Sequence, residues 1–213
     1  EGVVPSDISS FPKLKAILST GSPLNEESFD YIYSKWKADV QLSSISGGTD
    51  IVSCFALGNP VLPVYRGELQ CRGLAMKVES FAENGTSQAN QRGELVCTKP
   101  FPSMPIFFWN DTDGAKYHSA YFDTYPNTWR HGDYIAINDH GGVQIFGRSD
   151  ATLNPGGVRI GTAEIYRVVE AMPEISDSVV VGQRINGDER VVLFVELQEG
   201  KSITAELTAQ IKS

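Results

Sequence analysis

The sequence predicts an α/β segment that leads into a β-rich module and then into a small α+β unit. A strand, a helix and a second strand follow one another before residue 50, and short strands alternate with Gly, Pro and Asn turns over residues 60–147. An amphipathic helix then precedes two apolar strands after residue 150. With 213 residues, 41% of them hydrophobic and 21% charged, the chain has the composition of an ordinary globular protein.

Residues 1–59 are expected to form an α/β edge. Lys13–Ser19 and Val40–Ile45 are apolar-rich stretches that predict strands, and Asn25 is placed to cap the helix between them. Carboxylates in the first helical turn, at Glu26 and Glu27, would meet the positive end of the helix dipole. Because a helix connects the two strands, the strands are expected to be parallel.

Residues 60–149 are expected to form a β-barrel-like subdomain, either a distorted barrel or a small sandwich. Its predicted strands are Arg66–Cys71, Ala75–Phe81, Gly93–Thr98, Tyr134–Asn138 and Val143–Gly147, with a helix over Asn110–Tyr121. Residues 150–213 are expected to form an α+β unit that contains a helix over Thr162–Met172, strands over Val179–Gln183 and Val191–Leu197, and a helix that starts at Ser202.

Composition excludes several classes of function. A net charge of −8 argues against a nucleic-acid or anionic-membrane surface, and no apolar run approaches the ~18 residues of a membrane span. The three cysteines lack CxxC spacing, so neither a zinc site nor a disulfide framework is predicted, and a cytoplasmic, reducing location is expected. Because the chain begins without Met and ends within a predicted helix, it is expected to be a piece of a longer protein.

Two Gly-containing turns follow predicted strands. Gly21-Ser22-Pro23 lies where a backbone turn can line a purine pocket, although an ordinary strand–helix turn is the favoured interpretation of these residues alone. In Ser46–Asp50, two glycines allow close approach to a ligand, Thr49 offers a hydroxyl to a phosphate, and Asp50 offers a carboxylate to Mg²⁺. A capped Gly-Gly turn explains the second segment equally well, and neither has Walker spacing.

Two further motifs carry charged groups. His131-Gly132-Asp133 lies just before a predicted strand, where Asp133 is placed to accept hydrogen bonds from a ribose diol or to satisfy a turn. The segment 156–161 is Gly-rich but does not have the GxGxxG pattern, so NAD binding is rejected. Its Arg159 is better interpreted as a clamp for a phosphate or carboxylate. The histidines have no spacing typical of metal ligands.

These motifs, taken in order, carry a resemblance to a known family. The relevant segments are Lys116–Pro126 (KYHSAYFDTYP), His131–Tyr134 (HGDY), Gly147–Asp150 (GRSD), Leu153–Pro155 (LNP) and Gly157–Arg159 (GVR). The chain resembles the adenylate-forming superfamily of acyl-CoA synthetases, luciferases and peptide-synthetase adenylation domains over its whole length, and its segments are most similar to members that activate acetoacetate. The family's phosphate loop and C-terminal lysine are absent, so the resemblance implies the end of the large N-terminal domain (1–149) and the start of the small C-terminal domain (150–213).

The resemblance implies a role for each matching residue. Nucleotide-binding residues would be Gly21, Ser22, Pro23, Thr49, Asp133, Arg148 and Arg159, and Thr49, Asp50 and Arg159 would be catalytic. Asp50 would hold the metal ion, although relatives usually carry the longer Glu there. Asp150 would be the hinge of the C-terminal domain, Gly156 and Gly157 would line the CoA tunnel, and Gly47 and Gly48 would line the acyl pocket.

The implied activity is that of an acid–thiol ligase that releases AMP. Acetoacetate and ATP would give an acyl-adenylate and pyrophosphate, and CoA would then take the acyl group. ATP, Mg²⁺ and CoA are thus expected as substrates or activator, with no tightly bound cofactor. Acetate-using relatives carry a bulky Trp at the position of Gly47, so Gly47 is expected to admit a four-carbon keto acid, and Trp at this position to favour acetate. The alternatives are a ligase for another short or medium acyl chain, or a fragment that binds nucleotide without catalysis.

Overall fold

The computed structural model describes residues 3–153, 155, 160–185 and 188–212. These residues form two compact units, Glu1–Ile145 and Phe146–Ser213, which are described separately below. The domain bounds expected from the sequence, 1–149 and 150–213, stay a prediction. None of the described helices combines the length and the apolarity that a membrane crossing requires.

The first unit begins with the predicted strand–helix–strand arrangement. After α1 (Pro5–Ile8), β1 (Ala16–Ser19) leads to α2 (Glu26–Tyr31), which continues as a π-helical turn (Ile32–Trp36), and β2 (Gln41–Ser44) follows. β1 and β2 are parallel, as predicted, and Ser19 lies opposite Ser44 at their carboxyl ends. The Asn25 side chain caps α2 by accepting a hydrogen bond from the Ser28 backbone N–H at 2.9 Å. This layer is held together by a small core of Phe29, Ile32, Val40 and Leu42.

Two antiparallel sheets make up the rest of the first unit as the structure describes it. β3 (Ser46–Gly48), β4 (Ser53–Leu57) and β5 (Cys71–Arg72) form a three-stranded sheet in that order. The second sheet contains β6 (Val78–Phe81), β7 (Ser87–Gln88), β8 (Gly93–Cys97), β9 (Trp129–Ile137) and β10 (Val143–Arg148), in the order β10-β9-β8-β6-β7. Leu69 and Val143 exchange backbone hydrogen bonds of 2.8 and 2.9 Å, which link the edges of the two sheets.

The barrel expected for residues 60–149 is wrong, because the described strands do not close. A barrel requires a continuous ring of paired strands. Here the pairing ends at β7 on one side and at β3 on the other, and both are very short strands. The strand expected over Arg66–Cys71 is also reduced to β5, because Gly67, with φ +78°, turns the chain before it.

One core joins both sheets to helix α3 (Ala115–Tyr121). Its buried members include Phe55, Leu95, Trp129, Ile135 and Val143. The helix begins later than expected, after Gly114, and the Asp111 carboxylate accepts hydrogen bonds from the backbone N–H groups of Lys116 and Tyr117 at 3.0 and 2.8 Å. These bonds satisfy amides that the helix cannot pair internally and hold the pKa of Asp111 below its usual value.

The described part of the second unit contains a short strand pair, a long hairpin and two helices. β11 (Thr152–Leu153) pairs with β12 (Ile160–Gly161), and α4 (Thr162–Val169) precedes the hairpin of β13 (Ile175–Ile185) and β14 (Asp188–Leu197), after which α5 (Ala205–Lys212) follows. The Tyr166 hydroxyl of α4 accepts a hydrogen bond from the Val180 backbone N–H at 3.2 Å. α4 ends before the expected Met172, in a turn that precedes Pro173, which disfavours helix in the residue before it.

Candidate active site

A bulge in β9 shapes the centre of the candidate site. Glu94 of β8 lies opposite Tyr134, and Val96 lies opposite Arg130. Between these pairs β9 has His131, Gly132 and Asp133, whereas β8 has only Leu95. Gly132 adopts φ +85°, which glycine tolerates at little cost. The motif therefore lies within a strand rather than before one, which corrects the expectation, and bulges of this kind redirect side chains next to functional sites.

The Glu94 carboxylate holds this bulge in place. Its Oε1 accepts a hydrogen bond from the Gly132 backbone N–H at 2.9 Å, and its Oε2 lies 3.2 Å from Arg130 Nε. Glu94 is only 7% exposed, so these partners offset the cost of burying its charge. Burial, followed by the nearby Glu94 charge, raises the pKa of Tyr125. Sequence reasoning missed Glu94, although a carboxylate within an otherwise apolar strand was a usable signal.

The bulge brings His131 and Asp133 together. His131 Nε2 lies 3.6 Å from Asp133 Oδ2, and the two side chains are 9% and 12% exposed. The same nitrogen lies 3.2 Å from the carbonyl oxygen of Gly47 on β3. Two residues, one of them from a distant part of the sequence, thus lie next to the His131 imidazole.

The two glycines of β3 are explained by close packing. A Cβ built on Gly47 would lie 2.1 Å from the backbone oxygen of Ser53 on the neighbouring strand. A Cβ on Gly48 would lie 2.9 Å from His131 Cε1. Glycine at position 47 is therefore required by the approach of β3 to β4, and its acyl-pocket role stays a prediction. A Trp at position 47 would therefore disturb the pairing of β3 with β4 as well as fill any adjoining space.

Thr49 and Asp50 follow β3 in an exposed turn. The Tyr121 hydroxyl donates a hydrogen bond to Asp50 Oδ2, and the Tyr121 ring stacks on the buried Trp129 ring with a centroid distance of 3.5 Å and an interplanar angle of 14°. The aromatic core thereby fixes one oxygen of the Asp50 carboxylate. Tyr121 is a second residue whose role the sequence motifs did not reveal, because its contact with Asp50 spans 71 positions of sequence.

The Asp50 carboxylate has the right chemistry for Mg²⁺, which prefers oxygen ligands and is commonly bound through one or two carboxylates together with substrate phosphates. Within the described ranges, no group of three or more His, Cys, Asp and Glu side chains is placed to hold a metal ion. The metal-binding role expected of Asp50 stays a prediction.

The Gly21-Ser22-Pro23 turn leaves the sheet at the same edge as β3. β1 and β2 end side by side, and the Ile45 backbone N–H donates to the Ser19 carbonyl at 2.9 Å. The turn is exposed, Gly21 has φ +97°, and a Cβ at this position would have no described atom within 4 Å. The carboxyl ends of parallel strands are a common position for ligands in α/β sheets.

Arg148 and Asp150 form a bidentate ion pair at the start of the second unit. Arg148 Nε donates to Asp150 Oδ1 at 2.9 Å, and a terminal guanidinium nitrogen contacts Oδ2. Both side chains are about half exposed, at 49% and 55%, so solvent weakens the pair. The other residues expected in this part of the site, Gly156, Gly157 and Arg159, lie outside the described residues.

Comparison with known proteins identifies what the chain is similar to. No protein-family model matches it. Acetoacetyl-coenzyme A synthetase of Rhizobium meliloti (strain 1021) is 55% identical over 212 residues, a match that covers 100% of this chain and 33% of the relative. Acetoacetyl-CoA synthetase of Danio rerio is 52% identical over 210 residues, which covers 98% of this chain and 31% of the relative.

Solved structures of CoA ligases are also similar to the chain. Acetoacetyl-CoA synthetase from Streptomyces lividans superposes with a TM-score of 0.87 at 44% identity, covering 99% of this chain and 32% of that one. An anthranilate CoA ligase in complex with anthranoyl-AMP gives a TM-score of 0.73 at 17% identity, covering 93% and 37%, which shows the fold alone.

The fold is accordingly that of the adenylate-forming CoA ligases. Within that class, the chain is homologous to acetoacetyl-CoA synthetases along its whole length, which confirms the resemblance stated from the motifs. The chain spans about a third of the length of the curated relatives it matches.

Proposed function

We propose that the chain is part of an ATP-dependent acetoacetate–CoA ligase. The reaction forms acetoacetyl-adenylate and pyrophosphate, and then the CoA thioester and AMP. The observation that carries the proposal is the 55% identity to an acetoacetyl-CoA synthetase across 100% of the chain. Small molecules alone are proposed as partners, since a net charge of −8 disfavours nucleic acid.

In the first half-reaction, a carboxylate oxygen of acetoacetate attacks the α-phosphorus of ATP and the bond to pyrophosphate breaks. We assign the adenine contact to the Gly21–Pro23 turn, the phosphate contact to Thr49, and the ribose hydroxyls to Asp133. Asp50 would hold Mg²⁺, which neutralises phosphate charge when bound. The burial of Asp133 and the fixing of Asp50 by Tyr121 support these roles, because reacting groups must be held in place before charge develops.

In the second half-reaction, the CoA thiol attacks the acyl carbon and AMP leaves. We assign the hinge of the domain rotation to Asp150, which lies just after β10, near the start of the second compact unit. Arg148 would contact the nucleotide, and its present partner Asp150 would then release or share the guanidinium. By resemblance alone, Arg159 would contact the α-phosphate, and Gly156 and Gly157 would line the CoA tunnel.

The test is CoA-dependent AMP release by the full-length protein with acetoacetate, acetate and butyrate side by side. Preference for acetoacetate supports the proposal, whereas equal or better turnover of butyrate or acetate retains the chemistry and removes the substrate assignment. Purified residues 1–213 are the control, because we expect them to be inactive without the family's phosphate loop and lysine. Turnover by this piece would refute that expectation.

We also propose a cytosolic location. Cys54, Cys71 and Cys97 are free thiols, the state that a reducing compartment maintains. Fractionation of the source cells, followed by detection of the full-length protein, tests the location, and recovery outside the cytosolic fraction would contradict it.

A further inference from the structure

The His131 side chain connects two parts of the candidate site that lie far apart in the sequence. Its Nε2 atom lies 3.2 Å from the Gly47 carbonyl oxygen and 3.6 Å from Asp133 Oδ2. The Gly47 carbonyl oxygen can only accept, so Nε2 is the donor in that contact, and the Asp133 carboxylate lies at ion-pair distance from the same nitrogen. One nitrogen therefore lies next to both the predicted acyl-pocket residue Gly47 and the proposed ribose ligand Asp133.

The ring is held from behind by the aromatic core. The Phe55 ring packs against His131 with a centroid distance of 4.8 Å and an interplanar angle of 71°, and Phe55 is fully buried. Phe55 in turn packs edge-on against Phe101 at 5.5 Å. Because the core fixes these rings, the imidazole has little freedom to move. Its contact with the Gly47 carbonyl therefore holds β3 in place relative to the core.

The Nε2–Cε1 edge of the ring also fills the space next to Gly48. A Cβ on Gly48 would lie 2.9 Å from His131 Cε1, so the imidazole and the glycine are closely fitted. The bulge in β9, stabilised by the bond from Gly132 to Glu94, aims the ring at this point. The imidazole is only 9% exposed, which suits a residue that shapes a pocket through its neighbours.

We infer that His131 is a positioning residue that fixes the Gly47–Gly48 wall of the acyl pocket relative to Asp133 and thereby sets acyl selectivity. The inference rests on the proposed ligase function and on the predicted acyl-pocket role of Gly47 and Gly48. It assigns no reacting atom to His131, which acts through the Gly47 carbonyl and the Asp133 carboxylate. Neither the sequence motifs nor the resemblance gave this residue a role.

The test uses two substitutions in the full-length protein, His131→Gln and His131→Leu. Gln carries an amide N–H at a similar distance from its Cβ and keeps the donor, whereas Leu fills similar space without one. We expect His131→Leu to raise the KM values for acetoacetate and ATP about tenfold above those of His131→Gln, the effect of one lost hydrogen bond. The ratio of kcat/KM for acetoacetate to that for butyrate should fall in parallel, while the KM for CoA stays unchanged.

His118→Ala is the matched control, because His118 is an exposed imidazole that lies 2.9 Å from the Asp123 carboxylate and has no assigned role in the site. It should leave all three KM values and the selectivity ratio unchanged. A purely structural role for His131 would lower kcat for every acid in proportion to the folded fraction, without moving the ratio. Equal KM values and equal ratios in the Gln and Leu variants would overturn the inference.

The wild-type protein in the same assay separates this inference from the proposed function. If the wild type prefers another acid, the substrate assignment fails by itself, and the Gln–Leu comparison is made with the preferred acid. If the wild type prefers acetoacetate and the two variants do not differ, the ligase proposal stands and the role of His131 is refuted.

Discussion

A single methyl group added at Gly47 would meet backbone atoms, so its effect can be predicted. The Cβ of Gly47→Ala would lie 2.1 Å from the Ser53 backbone oxygen and 2.9 Å from Cys54 Cα, where ordinary contact begins at 3.4 Å. The obstructing atoms belong to the backbone, so β3 and β4 must separate and their paired hydrogen bonds must lengthen. Overpacking of this kind costs typically about 1–3 kcal/mol, and we expect about 2 kcal/mol of lost unfolding free energy.

The assay is urea unfolding of the full-length protein, with Gly48→Ala as the matched control on the adjacent residue. The Cβ of Gly48→Ala meets a side chain, His131, rather than backbone. In a His131→Ala background the cost of Gly48→Ala should therefore fall, whereas the cost of Gly47→Ala should persist. A change of less than about 0.5 kcal/mol for Gly47→Ala would show that β3 and β4 are not so closely packed.

The same geometry changes the interpretation of a Trp substitution. Gly47→Trp carries the same obstructed Cβ, so it displaces β3 before its indole ring reaches any pocket. A shift from acetoacetate to acetate in that variant would thus mix a damaged strand pair with a smaller pocket. Comparing it with Gly47→Ala, which has the Cβ but not the ring, separates the two effects.

Three further predictions concern other parts of the structure. Tyr121→Phe keeps the aromatic stack but removes the hydroxyl that donates to Asp50, so half-maximal adenylation should need about tenfold more Mg²⁺. An unchanged Mg²⁺ requirement in a variant with an unchanged unfolding midpoint would contradict the role of this contact. The backbone N–H of Lys116, together with other groups, lowers the pKa of Asp111, so the carboxylate stabilises the fold above the ordinary carboxyl pKa of about 4 and this contribution is lost as the pH falls through the lowered pKa. The unfolding free energy of Asp111→Ala should therefore fall less steeply with acid than that of the wild type. An identical acid profile for the two proteins would contradict this contribution. Asp150→Pro should spare acyl-adenylate formation, measured by pyrophosphate exchange, and cripple thioester formation, whereas equal loss in both would contradict the hinge role.

Local features of the sequence predicted local features of the structure well. The Asn25 cap and the parallel strands on either side of α2 were confirmed, because a capping side chain and an intervening helix act over a few residues. The family resemblance was also confirmed. It rests on contiguous motifs such as HGDY and GRSD, which can be read directly from the sequence. The roles assigned to individual site residues stay predictions.

The closure of the sheets was not predictable from the strand pattern. Alternating short strands favour a barrel or a sandwich equally, and pairing partners are chosen by contacts between distant strands. The described strands instead form an open arrangement, joined at the Leu69–Val143 bridge and ending at the short strands β3 and β7. The barrel prediction was wrong because it depended on which distant strands pair, and the strand pattern does not specify that.

The sequence by itself determined the order of helices and strands, the class of enzyme that the chain resembles, and the residue types available to a nucleotide site. Only the tertiary structure decided how these residues meet. The two-residue excess of β9 over β8 at the bulge, the burial of Glu94 beneath Gly132, and the contact of His131 with Gly47 each depend on strand register. Register is set by the packing of a whole sheet, and it therefore cannot be derived from the residues of one strand.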